Sequence, residues 1–113
     1  MDKPTPKERV QHMHDAILRI QRYVQGMDLR AFESDSRTQD AVLTCFMQLG
    51  EAVRSVDLDI LDRHPYPWNI VRSFRNFIAH QYHAIEMERV YHAANDLEPL
   101  KQVLQRILET EFP

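Results

Sequence analysis

Residues 75 to 83 read RNFIAHQYH, which places an arginine, an amide, two histidines and a tyrosine within nine positions. Core helices avoid that density of polar groups, because each must be paired or desolvated at a cost. The residue types suit one chemistry in particular. Breaking an RNA strand without a metal needs a base for the 2′-hydroxyl proton and an acid for the leaving oxygen. Histidine titrates near neutral pH and fills either role, which makes His80 the candidate. The developing phosphorane needs a fixed positive charge, and the guanidinium of Arg75 offers forked donors to two phosphate oxygens. Asn76 could orient the phosphate or His80 by hydrogen bonding.

Placement on a helix separates two faces, at about 100° per residue. Ile70, Val71, Phe74, Phe77, Ile78 and Ile85 fall together and are expected to face a bundle. Arg72, Arg75, Asn76, Ala79, His80, Tyr82 and His83 fall on the other side. Arg75 and His80 are nevertheless separated by roughly 140° on an ideal wheel. One straight helix would not aim both at one atom. Either the helix ends or distorts near His80, or two copies of the face pair across a dimer axis, with small Ala79 allowing close approach. Arginine, asparagine and histidine on an outer helix face are most often simply solvated, and Arg-x4-His spacing alone is a weak signal.

The elements that must position these residues are legible from caps and periodicity. Thr5, Pro6 and Glu8 form a helix start with a capping box. Val10, Met13, Ile17, Ile20 and Val24 then recur every three or four residues, and Gly26 is the natural stop. A short helical turn is expected around Leu29–Phe32. The second long helix carries Val42, Cys45, Leu49, Ala52 and Val56 inward. Gly50 inside it costs roughly 1 kcal/mol relative to alanine, so close approach of a neighbouring backbone is its expected return. The prolines of DRHPYPWN break the chain, and Pro67 suits the start of the helix that holds the motif. A further helix runs from about Glu86 to Asn95. The last has Leu97, Leu100, Leu104 and Ile107 inward.

Only two glycines in 113 residues leave little for hairpins and bulges, so the expected fold is all-α, an antiparallel bundle of about four to five helices. One domain over residues 1–113 is expected, long enough for a core without disulfides or a structural metal. A lone Cys45 fits a reducing compartment, and no long apolar run is present, so a cytoplasmic protein without a membrane segment is expected. The net charge of −3 argues against a general nucleic-acid binder but leaves room for a locally basic site.

Beyond these local signals, the chain resembles the HepT-like ribonuclease toxins of the HEPN superfamily. RNFIAH carries the Arg-x4-His signature, and RNFIAHQY extends it to the Arg-x4-His-x-Tyr form. FESD, TQDAV, LGEA, PYPWNIVRSFRN and DLEPLKQVL lie around it in family order, from about Val10 to about Leu104. The resemblance implies a HEPN-like homodimer whose two motifs line a shared cleft that cleaves RNA without a metal or other cofactor. Arg75 and His80 would be the catalytic pair and Asn76 the polar motif residue. Tyr82 matches the tyrosine that a partner antitoxin, a minimal nucleotidyltransferase of the MntA type, modifies with AMP. The added negative charge would repel RNA phosphate. His83 stands where many relatives carry an aromatic.

Other residues call for plainer readings. His80 and His83 sit one turn apart, but no complete metal-ligand set accompanies them. His12 and His14 are expected to meet solvent only. Arg72 and His83 are possible supporting residues, as is Glu51, which could pair with Arg72 or Arg75 if its helix packs beside the motif. Cys45 belongs to an apolar stripe, and Trp68 is expected to anchor the helix start. The alternative to a toxin ribonuclease is a catalytically idle HEPN module that binds a nucleotidyltransferase.

Overall fold

The computed structural model describes residues 3–113. Seven α-helices follow one another: α1 (Pro6–Val24), α2 (Leu29–Glu33), α3 (Ser36–Val53), α4 (Leu58–Asp62), α5 (Trp68–Gln81), α6 (Met87–Ala94) and α7 (Glu98–Glu111). A 3-10 turn, Tyr82–Ala84, joins α5 to α6. No strand occurs among the described residues. The fold is an all-α helical bundle, as the sequence leads one to expect.

Local chemistry accounts for most boundaries. Thr5 accepts from the Glu8 amide while the Glu8 side chain accepts from the Thr5 amide, closing the capping box of α1. Gly26, at φ 76°, takes the left-handed conformation just past its end. Asp28 and Asp35 cap α2 and α3 through the Ala31 and Thr38 amides. The expected stripes of α1 and α7 are buried, as are Val42, Cys45, Leu49 and Ala52 of α3 and Val56 just beyond it.

The central packing is α1 against α3, with α7 on another side of α1 and α5 resting on α3. The helix α4 is an element that periodicity does not announce. It is five residues long and inserts only Ile60 and Leu61. His14 also departs from expectation: it is half-buried, with its ring 3.3 Å from the Gln105 amide nitrogen of α7.

Helix α5 rests on α3 and has no second neighbour comparable to it among the described residues. This corrects the reading of its apolar face. Val71 and Ile78 are buried, Phe74 and Ile85 are partly covered, but Ile70 and Phe77 are 54% and 52% exposed. No described residue on the outer side of α5 covers them. They border an open groove of about 460 Å³ between α3, α5 and α6, floored by residues such as Leu43, Phe46 and Val90.

Candidate active site

The polar segment is fixed at three levels, the second and third of them on α3. At its start, Pro67 precedes the first helical residue, and the Trp68 indole N–H donates to the carbonyls of Leu61 (3.2 Å) and His64 (2.9 Å). The same corner is tied to the end of α7. Glu111 takes Arg63 at 2.6 and 3.1 Å and His64 at 2.9 Å. Those contacts, Arg63 foremost, hold the Glu111 carboxyl down at about 2.

Gly50 provides the second level. A Cβ there would lie 2.8 Å from the Arg75 amide nitrogen, 3.1 Å from the Val71 carbonyl oxygen and 3.2 Å from Phe74 Cβ. Only glycine lets the two backbones approach this closely, which is the return expected from its position mid-helix. The next residue of α3 then meets the motif: Glu51 Oε2 lies 2.9 Å from Arg75 Nε. Both side chains are about half exposed, 58% and 47%, so the pair is worth at most about 1 kcal/mol. Its effect is on where the guanidinium stands.

The third level lies just beyond the helix. The chain leaves α-helical geometry at Gln81, so Tyr82 begins the 3-10 turn and does not continue the wheel. Its hydroxyl donates to Asp40 Oδ1 of α3 at 2.6 Å. That hydrogen bond to a carboxylate pushes the phenol's pKa up. The His83 ring stands edge-on to that of Tyr82, with centroids 5.4 Å apart.

The site residues therefore divide. Arg75 and Tyr82 lean on two carboxylates of one α3 ridge. Asn76, Ala79, His80 and His83 are exposed, and Arg72 is half-buried. The side chains of Arg72, Asn76 and His80 make no hydrogen bond or ion pair with any described residue, and no side chain bridges Arg75 to His80. Cys45 is buried in the core, where desolvation pushes its thiol pKa up, opposite to what a nucleophile needs. No group of three or more potential metal ligands occurs among the described residues. Nor is any of these helices long and apolar enough to cross a membrane.

Asp40 is the participant that sequence reading passed over. Its signal is angular: Asp40 and Glu51 lie about 20° apart on the α3 wheel, as Arg75 and Tyr82 would on α5. Two acids on one stripe thus face a cation and a phenol on the other.

An exposed imidazole beside an amide, on the same helix as a held guanidinium, is a set suited to phosphoryl chemistry. Comparison with known proteins agrees. Residues 13–107 match the family described as Ribonuclease HepT-like. The chain belongs to that family. The match to the HepT-like ribonucleases takes in the motif helix, the whole of α3 beneath it and most of α7. Among similar proteins, one of Methanocaldococcus jannaschii, provisionally assigned as an RNase, is 25% identical over 89 residues, 77% of each chain. A second from that organism, with the same provisional assignment, is 24% identical over 102 residues, 88% of this chain and 81% of its own. A protein of Thermococcus cleftensis, provisionally assigned as ribonuclease HepT, is 23% identical over 107 residues, 93% of this chain and 97% of its own. No solved structure matches the chain significantly.

Proposed function

We propose that this HepT-like protein is the toxin of a toxin–antitoxin pair: a metal-independent endoribonuclease of the cytoplasm, composed at a homodimer cleft and silenced by AMPylation of Tyr82. The silencing enzyme would be a nucleotidyltransferase of the MntA type. One observation carries the nuclease reading: Asn76 and His80 are exposed and unengaged on the helix whose Arg75 is held in place by Glu51. In this reading His80 moves the proton of the 2′-hydroxyl or of the leaving oxygen. Arg75 neutralises charge on the phosphorane, and Asn76 orients the phosphate.

The roughly 140° between Arg75 and His80 on the wheel motivates the second copy. So does the exposed apolar surface beside the motif, since Phe77 lies about 60° from His80 on the same outer face. A partner covering Ile70 and Phe77 would bring its own arginine and histidine alongside.

The test is RNA cleavage by the purified protein in excess chelator. Cleavage should persist there, and His80→Ala or Arg75→Ala should each reduce it by roughly 10²–10⁴-fold. Cleavage undiminished in the His80 variant, or abolished by chelator alone, defeats the mechanism. A wild-type protein that cleaves nothing yet binds the nucleotidyltransferase firmly would instead favour the idle HEPN module.

A further inference from the structure

The third attachment of the motif pairs a reactive type of side chain with the group that would activate it. Tyr82 is the exposed phenol, 43% accessible, at the end of the motif helix, and its oxygen is bonded to Asp40 Oδ1 at 2.6 Å across 42 residues of chain. A neutral phenol is a poor nucleophile. It reacts with phosphorus only if its proton has somewhere to go as the new bond forms. The Asp40 hydrogen bond also makes spontaneous ionisation of Tyr82 harder, since it pushes the phenol's pKa up. Loss of that proton to water is therefore the unfavourable route, and transfer along the existing hydrogen bond is the direct one.

We propose that Asp40 is the general base for group transfer to Tyr82, so that the toxin supplies the activating carboxylate for its own silencing. This rests on the reading of Tyr82 as the modified residue. Tyr82 Oη attacks the α-phosphorus of a nucleoside triphosphate, and the Oη–Pα bond forms as the bond from Pα to the bridging oxygen breaks. The electron pair leaves with pyrophosphate, and the phenolic proton passes to Asp40 Oδ1 and then to solvent. The donor enzyme need only bring the nucleotide and its metal to an exposed hydroxyl. Afterwards the new phosphodiester and the Asp40 carboxylate are like charges where a hydrogen bond had been, so the modified ring is driven off α3.

The surroundings leave this role to Asp40. From α1, Arg19 and Tyr23 share with it a depression of about 270 Å³, Arg37 precedes it on its own helix, and His83 flanks Tyr82. None of these is hydrogen-bonded to the Tyr82 oxygen.

The test uses the full chain with two probes. One is AMP incorporation from labelled ATP by a purified MntA-type nucleotidyltransferase. The other is labelling by a small aryl sulfonyl fluoride, which needs no partner: an S–O bond forms, S–F breaks, and the same proton is released. Asp40→Asn keeps an acceptor oxygen but cannot take the proton. It should slow both reactions by about 10²-fold or more at neutral pH. The deficit should shrink as pH rises toward the ordinary phenol value of about 10. Asp40→Glu should recover part of the rate. Equal rates and parallel pH profiles for wild type and Asp40→Asn, both folded by circular dichroism, would overturn the proposal. If sulfonyl labelling depends on Asp40 but Tyr82→Phe accepts AMP as wild type does, the modification reading fails while the activated phenol stands.

Discussion

In the proposed mechanism Arg75 has two duties in one side chain: it leans on Glu51, and it must remain available to a phosphate. A weak, half-exposed pair is what such a duty calls for, because a buried one would hold the guanidinium against any substrate. Glu51→Gln should therefore leave the fold intact and reduce cleavage less than Arg75→Ala does, with most of the loss in KM. Steady-state kinetics on a short RNA will check this, and a loss confined to kcat would contradict it.

Among the elements, α5 depends on α3 for its position, and Gly50 is the point of closest approach. Replacing glycine by alanine inside an exposed helix normally stabilises it by about 1 kcal/mol. Here the added methyl would sit 2.8 Å from a backbone nitrogen, which cannot swing aside as a side-chain tip can. Overpacking of that kind costs typically about 1–3 kcal/mol. The clash wins, so Gly50→Ala should lower the melting temperature and reduce cleavage, because it pushes Arg75 away from Glu51. A variant as stable and active as wild type would show that the two helices separate freely.

How legible these elements were depended on what covers them. Val10 to Val24 and Leu97 to Ile107 were readable because each stripe is fully covered by neighbours, so apolar periodicity and burial coincide. On α5 they part company. Ile70 and Phe77 have the periodicity of core residues, but no second helix arrives, and a wheel cannot report a missing neighbour. The short α4 left too few apolar residues to show a period. Glu51 was within reach as a possible partner, whereas the Asp40–Tyr82 pair joins helices through side chains and leaves no local spacing to find.

For the whole molecule, the exposed apolar side of α5 is the surface on which a second copy is expected. Phe77→Glu should lower the sedimentation coefficient to that of a monomer and abolish cleavage, although Arg75, Asn76 and His80 are untouched. Cleavage by a demonstrated monomer would remove the shared cleft from the mechanism. Acid should act through a different part of the molecule. Glu111 lies near 2 in the folded chain against an ordinary 4.5, so its contribution to stability is present in full above 4.5. It is lost progressively as pH falls from 4.5 through 2, the carboxyl being protonated in both states only below that range. The melting temperature of wild type should therefore exceed that of Glu111→Gln at pH 7, and the gap should narrow through that window. A gap independent of pH would assign the difference to packing alone.

Because the tie at Glu111 is formed by the last turn of α7, it also sets an order of events during translation. Arg75, Asn76 and His80 emerge from the ribosome before Glu111 does, so the start of their helix is for a time fastened only by Trp68 and α3. The start of the motif helix is then secured in full only after α7 has followed it out of the ribosome. Stalled nascent chains ending before Glu111 should expose α5 to protease more readily than released ones. Equal protection in both would show that the helix is already seated while synthesis continues.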